Sequence, residues 1–331
     1  MKTVLITGAG GFLGREIAHQ AVSRGMEVHG LLLPQESCDH LDPKVVCHRG
    51  DVTKPDTLRA FLGQAKGAGV IHCAGRITIA DQPDPLLDAV NVQGTANLLA
   101  AAEQSGAARV VYVSSVHAIP ELPHGETITE TSHFDPSVVH GQYAKSKCAA
   151  SALVMAAAEK GVPVAMVHPS GIIGPGDWGI GHITTMMMLA ISGKLPAVPD
   201  GGYDFVDVRD VAFGTLAALE QGQCGRNYLL TGHGVSIVHL MEMLHQADSS
   251  IPVPRRIPMA IARMAAPFMA WISRLHHQKP LFTSYSLYTL LSNSAFSWKR
   301  ASDELDYAPR PLEETVKDVL AWVRSFQGKG R

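Results

Sequence analysis

The chain has 331 residues and a mass of 35.4 kDa, too long for a disulfide-stapled miniprotein and right for one large α/β domain or two smaller ones. Its 28 Lys and Arg against 30 Asp and Glu leave a formal charge of -2 with no long run of one sign, which excludes the basic face that a nucleic-acid binder turns toward phosphates. A hydrophobic fraction of 46% offers enough apolar surface to offset chain entropy, which excludes intrinsic disorder.

In chain order, a β-branched run at 3–7 leads at once into a glycine cluster, with no basic leader, apolar helix and small-residue cleavage site before it. The five cysteines are odd in number and widely spaced, with no Cys-x-x-Cys pair and no zinc-ligand spacing with histidine. Reduced thiols in a cytoplasmic protein are the expectation. Short apolar runs then alternate with helical patterns. Strands are expected over 3–7, 27–32, 45–49, 70–73, 109–114 and 163–168, and helices over 14–24, 55–64, 86–103 and 141–160. Six such strands predict an α/β fold built on a doubly wound parallel (Rossmann) sheet, with helices on both faces.

After His168 glycine and proline cluster and the βα alternation ends. A helix from about Asp210 to Glu220 and one more strand over 227–230 return to the sheet. The remainder is mainly helical: Ser236 reads as an N-cap, and Pro311 opens a helix with Leu312, Val316, Val319, Leu320 and Val323 on one face. The predicted organisation is a dinucleotide-binding domain over 1–170, rejoined by 205–232, and a smaller substrate-binding lobe over 171–204 and 233–331. The apolar stretch 257–273 is interrupted by Arg263 and Pro267 and is shorter than the ~20 residues of a membrane-spanning helix. It reads as a buried or substrate-covering helix, with peripheral membrane contact the lesser reading.

Gly8, Gly11 and Gly14 follow a strand and precede a helix at intervals of three. Glycine serves there where the turn is tight, where backbone approaches a pyrophosphate and where helix packs on strand, and the helix N-terminus supplies N–H groups to the anion. The end of the second strand would select the nucleotide, by an acid for the ribose hydroxyls or an Arg for a 2′-phosphate. It reads Leu31-Leu32-Leu33-Pro34-Gln35-Glu36 and places neither there. Arg15 could reach a phosphate or be solvated, so NAD and NADP both stay open.

Tyr143 and Lys147 lie four apart, on one face of a helix. A cation in that position favours the phenolate and lowers a pKa that is otherwise ~10, as a proton carrier near neutral pH requires. Ser114 and Ser115 end the fifth strand, placing a hydroxyl at the same sheet edge.

With these residues in order, the chain resembles the extended short-chain dehydrogenase/reductase family, within the NAD-dependent epimerase/dehydratase superfamily. The likeness is carried by the Thr7 glycine turn, Gly50-Asp51-Val52, Asn91-Val92-Gln93-Gly94-Thr95, Ser114-Ser115, Tyr143-x-x-x-Lys147 and the run from Phe205 to Ala212. The resemblance implies that Gly8, Gly11, Phe12, Leu13 and Gly14 cradle the cofactor. It places Asp51 and Val52 at the adenine, Cys73 and Ala74 beside the cofactor, and Pro169 and Ile172 on it after the sixth strand. Ser115 would hold the substrate oxygen, Tyr143 would exchange its proton, and Lys147 would bind the nicotinamide ribose and tune Tyr143. It gives Asp207 and Asp210 no chemistry; capping the following helix is the role expected of Asp210. A homodimer through the helices carrying Asn91 and Tyr143 is also implied.

Two departures bear on substrate. Sugar-nucleotide members often read Arg-Pro-x-Asn after the sixth strand, where this chain has His168-Pro169-Ser170-Gly171, and they place a further hydroxyl where Val116-His117 follows Ser115. Both point toward the dihydroflavonol-reductase and 3β-hydroxysteroid-dehydrogenase branches. The methionines and tryptophans concentrated after residue 170, including Met186, Met187, Met188, Met259, Met264 and Met269, suit a lobe over an apolar substrate, though methionine at helical spacing is also ordinary core. His117, His140 and His182 lie in segments that could face the cleft, and each reads as a hydrogen-bonded or surface residue. The expected activity is NAD- or NADP-dependent interconversion of a ketone or aldehyde and an alcohol on a small apolar substrate, steroid- or flavonoid-like in its polycyclic form. The alternative is a nucleotide-sugar epimerase or dehydratase using the same three residues.

Overall fold

The computed structural model describes residues 1–63, 65–80, 82–265 and 282–327. Six strands come first: β1 (Thr3–Thr7), β2 (Glu27–Leu32), β3 (Val46–Arg49), β4 (Gly69–His72), β5 (Arg109–Val113) and β6 (Val164–Pro169). After them come β7 (Gly171–Ile173), β8 (Ala197–Pro199), β9 (Gly202–Asp207), β10 (Asn227–Leu230), β11 (His233–Ser236) and β12 (Arg255–Ile257). The main sheet runs β10-β6-β5-β4-β1-β2-β3 and every pair in it is parallel. The order reverses between β1 and β4, the place where open α/β sheets leave a crevice for ligand.

Alternation along the central strands splits the core into two layers. Leu5, Val70, Val110 and Tyr112 face one way, where they pack with α2 (Pro55–Leu62), α4 (Gly94–Ser105) and α5 (Gln142–Glu159). Val4, Ile6, Ile71 and Val111 face the other, against α1 (Phe12–Ser23) and α7 (Val208–Glu220). Successive Cβ atoms on a strand point to opposite faces, so a strand covered on both sides must be apolar throughout. A third core gathers α6 (His182–Ile191), α8 (Ile237–Ala247) and α11 (Leu312–Gln327) around Phe205 and Val198 in the smaller lobe. Two short helices, α9 (Ser284–Thr289) and α10 (Lys299–Leu305), complete the chain order. No helix among the described residues is long and apolar enough to cross a membrane.

Two expectations are corrected. The helix expected over 86–103 is three pieces, α3 (Pro85–Asp88), a π-helical stretch Ala89–Gln93, and α4. A π turn inserts one residue into the ladder and re-aims the side chain at the bulge, here Asn91. Asp210 does not cap α7. The helix starts two residues earlier, at Val208, and Asp207 is its cap, accepting the Arg209 N–H at 2.8 Å. Asp210 instead receives the Arg310 backbone N–H at 2.8 Å and its Nη2 at 2.7 Å, tying the C-terminal segment to α7. Ser236 caps α8 as expected, through the His239 N–H at 3.1 Å. Of the 257–273 stretch, residues 266–273 lie outside the described residues, as does Met269.

Candidate active site

The glycine turn leaves no room for side chains. Gly8 sits at φ +68°, and a Cβ there would lie 2.7 Å from the Ala74 backbone nitrogen. A Cβ on Gly14 would collide with the Gly8 carbonyl oxygen. Helix α1 begins after Gly11 with no side-chain cap and no acid in its first turn, so the N–H groups at Phe12 and Leu13 face no competing side-chain acceptor. An uncapped helix end beside a bare backbone cradle suits a pyrophosphate; the residues fit a dinucleotide. Nearby, Asp51 accepts Thr53 N–H and hydroxyl, both at 2.8 Å, and fixes the turn after β3. Val52 packs where a Cβ on Gly94 would be, at 2.7 Å. Cys73 follows β4, its thiol pushed up to about 12 by burial. Pro169 ends β6 and Ile172 lies in β7, partly buried against the core.

Beneath this turn a buried hydrogen-bond chain joins β1 to the helix of the candidate tyrosine. Asn91 carbonyl oxygen accepts the Thr95 hydroxyl at 2.6 Å, so Thr95 Oγ1 accepts from His72 Nε2 at 3.1 Å. His72 Nδ1 therefore accepts from the Thr7 hydroxyl at 2.7 Å, and Thr7 accepts the Ala74 N–H at 3.3 Å. Burial pushes His72 down to about 3, so it is neutral, as these donor assignments demand. The Asn91 side chain holds Arg76 N–H and carbonyl at 2.8 and 2.9 Å and donates to Ser146 at 2.9 Å, whose hydroxyl donates to the Tyr143 carbonyl at 2.8 Å. Every member has a partner, which is what makes a buried polar network rigid.

At the end of this chain Ser115, Tyr143 and Lys147 come together, each less than a tenth exposed. The Ser115 side chain accepts the His117 N–H at 3.3 Å, and its hydroxyl is near enough to the Tyr143 phenol to favour the phenolate. Lys147 Nζ donates to the Val113 carbonyl at 2.7 Å and to Tyr112 Oη at 3.2 Å, and lies 4.7 Å from the Tyr112 ring centre. Burial lowers Lys147 to about 8 and raises Tyr143 to about 12, the latter opposed by the neighbouring Ser115 hydroxyl. The lowering of Tyr143 by Lys147 expected from their spacing is absent: burial sets the Tyr143 shift, and the ammonium is directed at Val113 and Tyr112. A phenol held neutral is a loaded proton donor. Beyond it, a Cβ on Gly75 would lie 3.5 Å from Lys147 Nζ, so glycine keeps that side of the ammonium open.

A cavity adjoins the site, lined by Ile119, Val139, His140, Tyr285, Tyr288 and Phe296 among others. On its wall His117 Nε2 and the Tyr203 hydroxyl share a 2.8 Å hydrogen bond, with rings stacked at 5.6 Å. The Tyr143 and Tyr285 ring centres each stand 6.1 Å from His117. Burial lowers His117 to about 4, so the imidazole is neutral. Gly171 lies behind Tyr203: a Cβ there would meet the ring at 2.9 Å and the Asp204 carbonyl at 3.0 Å. Met186 and Met187 are core in the smaller lobe, and tyrosines and histidines line the cavity instead.

The family profile described as "NAD dependent epimerase/dehydratase family" matches residues 4–230. The chain belongs to that family. It is an oxidoreductase enzyme of the extended short-chain dehydrogenase/reductase type that works with a nicotinamide dinucleotide. Sterol demethylase protein B of Methylococcus capsulatus is 28% identical over 329 residues, covering 97% of this chain and 98% of that protein. The solved structure of gox2253 is 31% identical, with a TM-score of 0.84 over 98% of this chain and 99% of that one. A nucleoside-diphosphate-sugar epimerase from Pseudomonas aeruginosa shares the fold at a TM-score of 0.78 and 22% identity, over 98% of each chain.

Three side chains near the site of this oxidoreductase have no signal in the sequence. Tyr112 lies within β5, and its hydroxyl meets Lys147. Tyr203 and Tyr285 carry no local motif. Glu36, which the sequence puts in the loop after β2, is brought to the glycine turn: its carboxylate accepts the Leu33 N–H at 2.9 Å and lies 3.2 Å from where a Cβ on Gly10 would stand. The β2 strand ends without an acid, but the loop turns back, held by Arg49 on the carbonyls of Leu33 and Glu36, and delivers one to the glycine turn. Arg15 stands across it, donating to the Gly11 carbonyl at 3.3 Å within the fields of Asp177 and Glu36.

Proposed function

We propose that this enzyme reduces a ketone or aldehyde, or oxidises the matching alcohol, on a small apolar substrate of polycyclic, sterol- or flavonoid-like form. When bound, the nicotinamide supplies or accepts the hydride. In the reducing direction Ser115 holds the substrate oxygen, Tyr143 transfers its phenolic proton to that oxygen, and Lys147 holds the ribose and lends positive charge as the phenolate forms. The glycine turn, Asp51, Val52, Cys73, Ala74, Pro169 and Ile172 form the dinucleotide groove. In the same reading residues 1–170 with 205–232 bind the cofactor, and 171–204 with 233–331 cover the substrate.

The observation that carries the substrate class is the Tyr203 ring against Gly171. Sugar-nucleotide members commonly place an Asn there for the diphosphate, and here no side chain fits. The cavity wall has aromatic rings and neutral imidazole in its place, and among the described residues no Lys or Arg lines it to meet a diphosphate. The similarity to a protein named for sterol demethylation supports the polycyclic class. For the cofactor, Glu36 at the glycine turn disfavours a 2′-phosphate while Arg15 favours one, giving a modest preference for NAD. The exposed, small or apolar Ala100, Leu153 and Ala156 on α4 and α5 support a homodimer through those helices.

The deciding experiment screens hydroxysteroids, flavonoids and aliphatic or aryl ketones for cofactor absorbance change with both reduced and both oxidised cofactors. Calorimetry against UDP- and dTDP-sugars runs alongside. Turnover of a polycyclic substrate with no sugar-nucleotide binding is expected. Micromolar affinity for a sugar nucleotide, with turnover that needs no added cofactor, would replace this reading by the epimerase or dehydratase one.

A further inference from the structure

One part of the chain departs from the balanced charge of the whole. From Ser249 to Ser302 the sequence holds no Asp or Glu, although the chain has 30, and it carries seven Lys or Arg. Within it, residues 252–264 form an exposed ledge on the smaller lobe. Val253, Ile261 and Met264 are 40%, 49% and 75% exposed, and Arg255 and Arg263 are exposed between them. Arg256 pairs with Asp200 at 2.5 Å; among the described residues Arg255 and Arg263 have no carboxylate within ion-pair distance.

The ledge has an inner and an outer side. Ala262 turns inward against the buried Leu287 of α9, with Ile257 and Met259 packed beside them. Ile261 and Met264 are three apart in the helical turn over 259–265 and lie on its outer side. The same α9 carries Tyr285 and Tyr288, which line the substrate cavity. The ledge is therefore fixed to the element that walls the site, and it presents apolar side chains beside Arg255 and Arg263, which pair with no carboxylate among the described residues.

We propose that residues 252–264 form a docking surface for an anionic lipid bilayer, with Val253, Ile261 and Met264 entering the headgroup boundary and Arg255 and Arg263 on the anionic headgroups. Apolar side chains beside cations, in a segment that itself holds no Asp or Glu, are the composition that partitions to such interfaces. A second copy of the chain is a poorer complement, because a two-fold contact on this ledge would set the same cations against each other. Because the ledge packs on the helix that walls the cavity, docking would bring that wall toward a phase where an apolar substrate dissolves, a benefit that rests on the substrate reading above; the docking itself does not.

The test is flotation of the full chain with vesicles of phosphatidylcholine alone or mixed with phosphatidylglycerol. The expected result is partition onto the phosphatidylglycerol vesicles, weakening as salt is raised because exposed charges are screened. Arg255→Glu with Arg263→Glu should lower partition at least tenfold, and Ile261→Asp with Met264→Asp should do the same. All four side chains are exposed, so melting temperature and cofactor binding should stay at wild-type values and show that the variants are folded. No partition onto anionic vesicles, or partition that both double variants retain, overturns the proposal. So does a change in oligomeric state in the variants, which would make the ledge a contact between copies. Because lipid partition is read without substrate, its failure leaves the hydride chemistry standing, and failure of the substrate screen leaves lipid docking standing.

Discussion

The glycine turn and the cavity wall are built on opposite plans. At the turn the working atoms are backbone, supplied by neighbours in sequence, and the side chains have been removed so that Gly8 can touch Ala74 and Gly14 can touch Gly8. At the wall the working atoms are side chains from distant segments: His117 follows β5, Tyr203 lies in β9 and Tyr285 in α9. A backbone site tolerates no added atoms, whereas a side-chain site tolerates substitution but loses its shape. Ser115, Tyr143 and Lys147 stand between the two, held by the buried chain through His72, Thr95 and Asn91.

The comparison is broken hardest at the junction. Tyr143→Phe should lower kcat by about 10²- to 10⁴-fold, the usual worth of a positioned proton carrier, while leaving cofactor affinity near wild type; retention of a tenth of the rate on a confirmed substrate would refute the assignment. Next comes the turn itself. Gly14→Ala forces a Cβ onto the Gly8 carbonyl and should destabilise the fold by about 1–3 kcal/mol, the range for overpacking, read from denaturant midpoints together with loss of cofactor binding. At the wall, Gly171→Asn should cost a similar ~1–3 kcal/mol by collision with Tyr203 and create no affinity for sugar nucleotides. With Tyr203→Ala added, the two costs should sum to less than their separate values, since the ring collision is gone while the Asp204 carbonyl contact stays, a coupling measurable as a double-mutant cycle.

Two smaller effects sharpen the contrast through charge. Lys147 is lowered to about 8 from an ordinary 10.5, so the folded chain binds fewer protons than the unfolded one between those values. Its own contribution to stability therefore rises with pH across that window, while the charged ammonium is lost above about pH 8. Turnover should decline above about pH 8, and Lys147→Arg, whose guanidinium stays charged, should carry the declining limb to higher pH; an unchanged limb would place the titrating group elsewhere. The smallest effect is at Glu36. Its change to Gln removes a carboxylate from the glycine turn and should move the NADP to NAD ratio of kcat/KM toward NADP by up to about tenfold, roughly 1.4 kcal/mol, with Arg15→Ala moving it the other way.

The sequence by itself determined the parallel sheet, the glycine turn, the hydroxyl of Ser115 at a strand end and the Tyr143–Lys147 face, because each is written in local periodicity, in steric demands for glycine, or in spacing along one helix. It placed Asp210 at a helix start that lies two residues earlier, and it missed the π turn at Asn91, since one inserted residue leaves the apolar pattern almost unchanged. Only the tertiary structure decided that Tyr203 fills the space beside Gly171, that Glu36 returns to Gly10 from a loop, and that Met186 and Met187 belong to the core while tyrosines line the cavity. Those outcomes depend on contacts between segments far apart in the chain, where burial and steric exclusion act among side chains that no local pattern relates to one another. The Lys147 and Tyr143 pKa values belong to the same class: residue type and spacing suggested an interaction between the two, but the burial that sets both shifts, and the direction in which the ammonium points, exist only once the fold has closed around them.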